Sequence, residues 1–113
     1  IIQSIAMKKI NLSELIRNIK DYSTEKILIF GSYADETNNP DSDIDIFVFK
    51  RIDDKHRRQE KLRLKQQLRN FMFKYDISVD VHLDHPENIE KRIEMGDLFY
   101  KEIIDKGKVL YAK

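Results

Sequence analysis

Residues 26–49 read KILIFGSYADETNNPDSDIDIFVF. Lys26 to Phe30 is apolar at successive positions, the pattern of a strand covered on both faces, and it stops at Gly31-Ser32. Asp35 to Asp41 (DETNNPD), punctuated by Pro40 and two asparagines, predicts a turn-rich loop. From Ile44 to Phe49 a second strand is expected, with Ile44, Ile46 and Val48 pointing one way and Asp45, Phe47 and Phe49 the other. The same period of two puts Asp43 and Asp45 on one face. Two like charges a few ångströms apart repel, and the usual relief is a shared proton or a bound cation.

Working outward, Ile77 to Leu83 predicts a third strand in which Ile77, Val79, Val81 and Leu83 alternate with Ser78, Asp80 and His82. If the second and third strands are neighbours, Asp80 joins Asp43 and Asp45. Hard oxygen donors gathered in this way favour magnesium or manganese, completed by water and substrate phosphates. Gly31 permits close backbone approach, and successive amides with the Ser32 hydroxyl suit phosphate oxygens; from these two residues alone, a tight strand-ending turn without a ligand is the expected reading.

Helical spacing of Leu12, Leu15, Ile16 and Ile19 predicts a first helix to about Tyr22, capped by Asn11 or Ser13. Leu64, Leu68, Phe71, Met72 and Tyr75 predict one long amphipathic helix from about Lys55 to Lys74, with Arg58, Lys65 and Arg69 beside its apolar stripe. Pro86 opens a further helical stretch to Gly107, with a break near Gly96, and Val109 to Tyr111 reads as a short edge strand. The order α-β-loop-β-α-β-α-β predicts an α/β (α+β) domain: one small mixed β-sheet flanked by helices.

A chain of 113 residues bounds this to a single domain, 1–113, with residues 1–10 read as a tag or flexible N-terminus and Met7 as an alternative initiator. It holds 21 basic and 20 acidic residues, net +1, with 36% charged and 41% hydrophobic, which fits neither a disordered polyion nor a membrane protein. Cysteine is absent, so disulfide scaffolds, thiolate zinc sites and cysteine nucleophiles are excluded, and a cytoplasmic location is the expectation. Charge is segregated: Gly31 to Phe49 carries five acids and no base, and Lys50 to Lys74 carries ten bases against three acids. That pattern reads either as a solvated loop beside a solvated helix or as a cation-gathering cluster beside a surface that attracts polyanions. His82 shares a strand face with Asp80, within reach of substrate or a metal-bound water, although plain packing or exposure is its expected role; His56 and His85 have no metal-ligand spacing. The set Phe30, Phe47, Phe49, Phe71 and Phe73 is expected in the core rather than as a stacking platform, and nucleic acid is not expected as a main partner.

The segment from Phe30 to Val48, FGSYADETNNPDSDIDIFV, with Val79-Asp80-Val81 and the ending Gly107-Lys108-Val109-Leu110-Tyr111, resembles the nucleotidyltransferase superfamily related to DNA polymerase β, above all its minimal nucleotidyltransferase group. The resemblance implies that Asp43, Asp45 and Asp80 are the catalytic residues and hold two Mg2+ ions, with Mn2+ as the alternative. It also implies that Gly31, Ser32 and Ser42 bind the nucleotide. An acceptor hydroxyl would then attack the α-phosphorus of a nucleoside triphosphate, ATP for preference, and pyrophosphate would leave. Many relatives read Gly-Ser-Arg-Ala-Arg-Gly after the first strand, whereas Tyr33 and Asp35 stand here at the arginine positions, followed by Glu36. Lysines and arginines between Lys55 and Arg69 are candidates to compensate, against their reading as a solvated face.

Larger relatives carry helical acceptor-binding domains, for which 113 residues leave no room. The small form often pairs with a separate helical HEPN-type protein as the antitoxin of a toxin–antitoxin couple, so the resemblance implies AMP transfer to such a partner. Two alternatives accompany it: a non-catalytic module that neutralises its partner by contact, and a homo-oligomer that modifies a small molecule such as an aminoglycoside.

Overall fold

The computed structural model describes residues 10–34 and 43–113, so the loop predicted at Asp35–Asp41, Ser42, and Met7 lie outside the described residues. Helix α1 (Leu12–Ile19) starts where Asn11 accepts a hydrogen bond from the Glu14 amide, and it buries Leu15 and Ile19. It ends earlier than the expected Tyr22. Asp21 takes the Ser23 amide at 2.9 Å, and the Thr24 hydroxyl takes the Asp21 amide at 3.1 Å, so side chains claim the backbone groups that another helical turn would need.

Strand β1 (Thr24–Phe30) passes through a 3-10 turn at Gly31–Tyr33, and β2 (Ile44–Lys50) returns antiparallel to it, with Leu28 opposite Phe47 and Phe30 opposite Asp45. The predicted long helix is two helices, α2 (Asp54–Gln67) and α3 (Arg69–Tyr75). Leu68 opens to ψ −4°, yet its amide still reaches the Leu64 carbonyl and its carbonyl the Met72 amide. The interruption is therefore a bend that keeps Leu64, Leu68 and Phe71 all buried. Asp76, with φ +50°, then stops the helix in the left-handed conformation: its amide bonds Phe73 and that of Ile77 bonds Met72. This stop delays the third strand to β3 (Val79–Asp84), two residues later than expected, although Ile77 remains buried.

β3 runs parallel to β2, with Asp45 opposite Asp80 and Phe47 opposite His82. Helices α4 (Pro86–Glu94) and α5 (Leu98–Lys106) are separated at Gly96 as the sequence predicts, and β4 (Lys108–Ala112) closes the sheet as an edge beside β1. The strand order is β3-β2-β1-β4. Ile27, Ile29, Ile44, Ile46, Val48, Val79, Val81 and Leu83 form one core with α1, α2 and α3, while Leu28, Phe47 and Phe49 meet Ile89 and Ile103 on the other face. The first face thus holds the basic helix α2, and the second holds Asp45 and Asp80. One aromatic expectation fails: Phe73 is 89% exposed, two residues beyond the buried Phe71 on a short helix with a single buried side.

The far end of β3 is tied to the helices through a buried acid. Asp84, 3% exposed, accepts hydrogen bonds from the Tyr100 hydroxyl (2.6 Å), Arg57 (2.7 Å), the Asn88 amide (3.1 Å) and the His85 backbone (2.8 Å). Burial pulls its pKa upward, but these donors override burial and hold the carboxyl below its ordinary value of 3.8. Burial and the same carboxylate push the Tyr100 hydroxyl up to about 12, so it stays a donor. Asp84→Ala is expected to lower stability by about 2 kcal/mol in urea unfolding near neutral pH, because Tyr100 and Asn88 lose a buried acceptor. A depressed carboxyl contributes stability above its unfolded pKa of 3.8 and loses it as pH falls through the lower folded value. The parent–variant difference is therefore expected to shrink in strong acid.

Candidate functional site

The site lies where β1 ends and β2 and β3 begin. Strand register alone sets Phe30, Asp45 and Asp80 side by side across three strands, with Leu28, Phe47 and His82 forming the next row. Among the described residues, Asp45, Asp80 and His82 each offer a ligand atom such that all three atoms lie within 4.8 Å of one another. The Asp45 carboxyl is raised above its ordinary value, first by burial, then by the Asp80 charge and, more weakly, by Asp43; His82 opposes the rise. A cation relieves such a cluster, and the donor set of two carboxylates and an imidazole fits a divalent ion.

The predicted residues reach this site unequally. Asp45 is half-buried and the side chain of Asp80 is 51% exposed. Asp43 is exposed, one residue ahead of β2 and outside the group of three, yet its charge still acts on Asp45. Gly31 touches the site by its backbone: at φ +72°, a Cβ placed there would stand 2.5 Å from Asp45 Oδ2. Ser32 follows in the same 3-10 turn, half-buried, and Ser42 lies outside the described residues. Tyr33, at an arginine position of the resembled motif, packs against the core of the opposite face. A cavity of about 260 Å³ adjoins Gly31, lined by Phe30, Phe99, Glu102, Ile103 and Lys106 among others. Lys106 there is a cation from outside α2, the helix from which compensation was expected; α2 packs on the other face, and its Arg57 is engaged by Asp84.

His82 shows both the packing expected of it and a polar neighbour on its own strand face. Its ring is packed as expected, 5.3 Å from Phe30, 5.5 Å from Phe99 and stacked within 10° of Phe47 at 6.1 Å. Its Nε2 nonetheless stands 3.4 Å from Asp80 Oδ2. The signal was present in the spacing, since residues two apart in a strand share a face, but a lone histidine gave no reason to choose ligand over packing.

Comparison with known proteins extends these observations. A family model described as "Polymerase beta, Nucleotidyltransferase" matches residues 13–113. A relative from Methanocaldococcus jannaschii, provisionally named a protein adenylyltransferase, is 26% identical over 87 residues, covering 77% of this chain and 78% of its own. A solved toxin–antitoxin with AMP-PNP aligns at TM-score 0.55 and 23% identity, over 90% of this chain and 71% of that one. A double mutant of the toxin–antitoxin MntA-HpeT aligns at TM-score 0.59 and 19% identity, over 92% and 75%. At those identities the two structures speak for a shared fold. No helix among the described residues is long and apolar enough to cross a membrane.

Proposed function

The chain belongs to the polymerase beta nucleotidyltransferase family, and we propose that it transfers AMP from ATP to a hydroxyl on a protein partner, as the antitoxin of a toxin–antitoxin pair. The observation that carries this reading is the pairing of Asp45 with Asp80 in parallel register beside the backbone of Gly31. The adenylyl group and the protein acceptor are supported by the name of the archaeal relative, and the paired toxin by the two structural neighbours.

In this reading Asp43, Asp45 and Asp80 hold divalent ions, Mg2+ or Mn2+, which when bound neutralise the triphosphate and the charge that develops at its α-phosphorus. Asp80, the more open of the paired carboxylates, orients the acceptor hydroxyl and takes its proton at a carboxylate oxygen. The hydroxyl oxygen then forms the new bond to the α-phosphorus as the bond to pyrophosphate breaks. Gly31, Ser32 and Ser42 seat the terminal phosphates, and the missing Cβ at Gly31 leaves the Asp45 carboxylate its place. Phe30, Phe47 and Phe99 pack around His82 and form an apolar floor beneath the carboxylates.

The direct test incubates the full chain with labelled ATP, magnesium and a helical HEPN-type partner. Label is expected on the partner, and Asp43→Asn is expected to remove it. A second reading, neutralisation by contact, is favoured by Tyr33 and Asp35 at positions where many relatives carry arginine. It predicts tight binding and toxin suppression unchanged in Asp43→Asn, with no label transferred.

A further inference from the structure

The site contains a nitrogen donor that the carboxylate reading does not use. His82 Nε2 is 3.4 Å from Asp80 Oδ2, and these two atoms and an Asp45 oxygen all lie within 4.8 Å of one another. In an octahedral shell with bonds of about 2.1 Å, adjacent donors stand roughly 3 Å apart and opposite ones roughly 4.2 Å. The His82–Asp80 separation is already close to that of adjacent donors, and the Asp45 oxygen, within 4.8 Å of both, joins them by side-chain rotation. The imidazole is also held in place by Phe30, Phe47 and Phe99, and its side chain is only 28% exposed, so little freedom is lost when it ligates.

The donor's chemistry decides what it would do. Magnesium takes oxygen ligands and retains water, whereas an imidazole nitrogen binds first-row transition dications more strongly. We propose that His82 is a direct ligand of the metal site and shifts its preference from magnesium toward a first-row transition dication. The proposal rests on the transfer reading in taking Asp45 and Asp80 as co-ligands. A purely structural His82 would leave metal preference to the carboxylates alone.

The test uses the full chain with Mn2+ alone, without nucleotide. Pulsed electron paramagnetic resonance of the bound ion is expected to show nitrogen hyperfine coupling. The coupling is expected to vanish in His82→Asn, which keeps a neutral oxygen donor at the position. Competition with Mg2+ is expected to show the Mn2+:Mg2+ affinity ratio falling about tenfold in that variant. His82→Phe, which preserves a ring among the three phenylalanines, is expected to lose the coupling with an unchanged far-ultraviolet circular dichroism spectrum. Mn2+ that binds, is lost in Asp45→Asn, and shows no nitrogen coupling in the parent would overturn the proposal while leaving the carboxylate site standing. Mn2+ binding indifferent to Asp45→Asn would overturn both. The parent spectrum decides by itself if a variant does not fold.

Discussion

Asp45→Asn is expected to slow nucleotidyl transfer at least ~1000-fold, the rate equivalent of about 4 kcal/mol of lost transition-state charge stabilisation, while folding at least as well as the parent. The opposite signs share one cause. Burial first, then the neighbouring charge of Asp80, and last that of Asp43, raise the Asp45 carboxyl above its ordinary 3.8. A raised carboxyl means that the folded state binds the proton more tightly than the unfolded chain does. The stability it contributes is full below pH 3.8 and is lost as pH rises through the higher folded value. At neutral pH the ionised group works against folding, and asparagine removes that opposition. Thermal midpoints of parent and variant should therefore diverge in the variant's favour as pH climbs out of the acid range. Added divalent ion should then raise the parent's midpoint and leave the variant's in place. Label transfer that persists in Asp45→Asn would remove this carboxylate from the chemistry.

Gly31→Ala carries the second large effect, and here function should fall further than stability. At φ +72° an L residue is strained, at a cost of about 1–2 kcal/mol. The new Cβ would also stand 2.5 Å from Asp45 Oδ2, so one of the two must move. The movable group is the carboxylate, and a displacement approaching an ångström in a positioned group costs about 100-fold in rate. Gly96→Ala provides the control. Gly96 has a similar φ of +83° with nothing within 4 Å of its would-be Cβ, so it should lose comparable stability and transfer at the parent rate. If both variants retain transfer equally, the approach of Gly31 to Asp45 has no bearing on catalysis.

The carboxylate arrangement was legible because it depends on only two regularities, alternation within a strand and adjacency between strands. β2 and β3 pair in parallel in the register that sets Asp45 opposite Asp80, and the sequence already placed both acids on one face of apolar strands. The helix boundaries were less legible, for local reasons. Asp21 and Thr24 divert backbone groups after Ile19, and Leu68 bends a run whose apolar spacing is continuous. Asp76 adopts a left-handed stop that glycine or asparagine would have announced more clearly. The Asp84 network escaped notice because its donors, Arg57, Asn88 and Tyr100, come from three separate helices. The packing expected of His82 is present, but its particular partners were not legible: Phe30, Phe47 and Phe99 lie on other strands and on α5, and only Asp80 is close to it in the chain.

The placement of Asp80 on an outermost strand, half open to solvent, bears on how large a recipient can be. A recipient need not thread into an enclosed chamber; its hydroxyl can be offered at the rim while the remainder of a folded body stays outside. With the proposed protein acceptor, discrimination among recipients would arise from how two surfaces dock around that rim, so substitutions well away from the acids would change which molecule is tagged without changing how fast tagging proceeds.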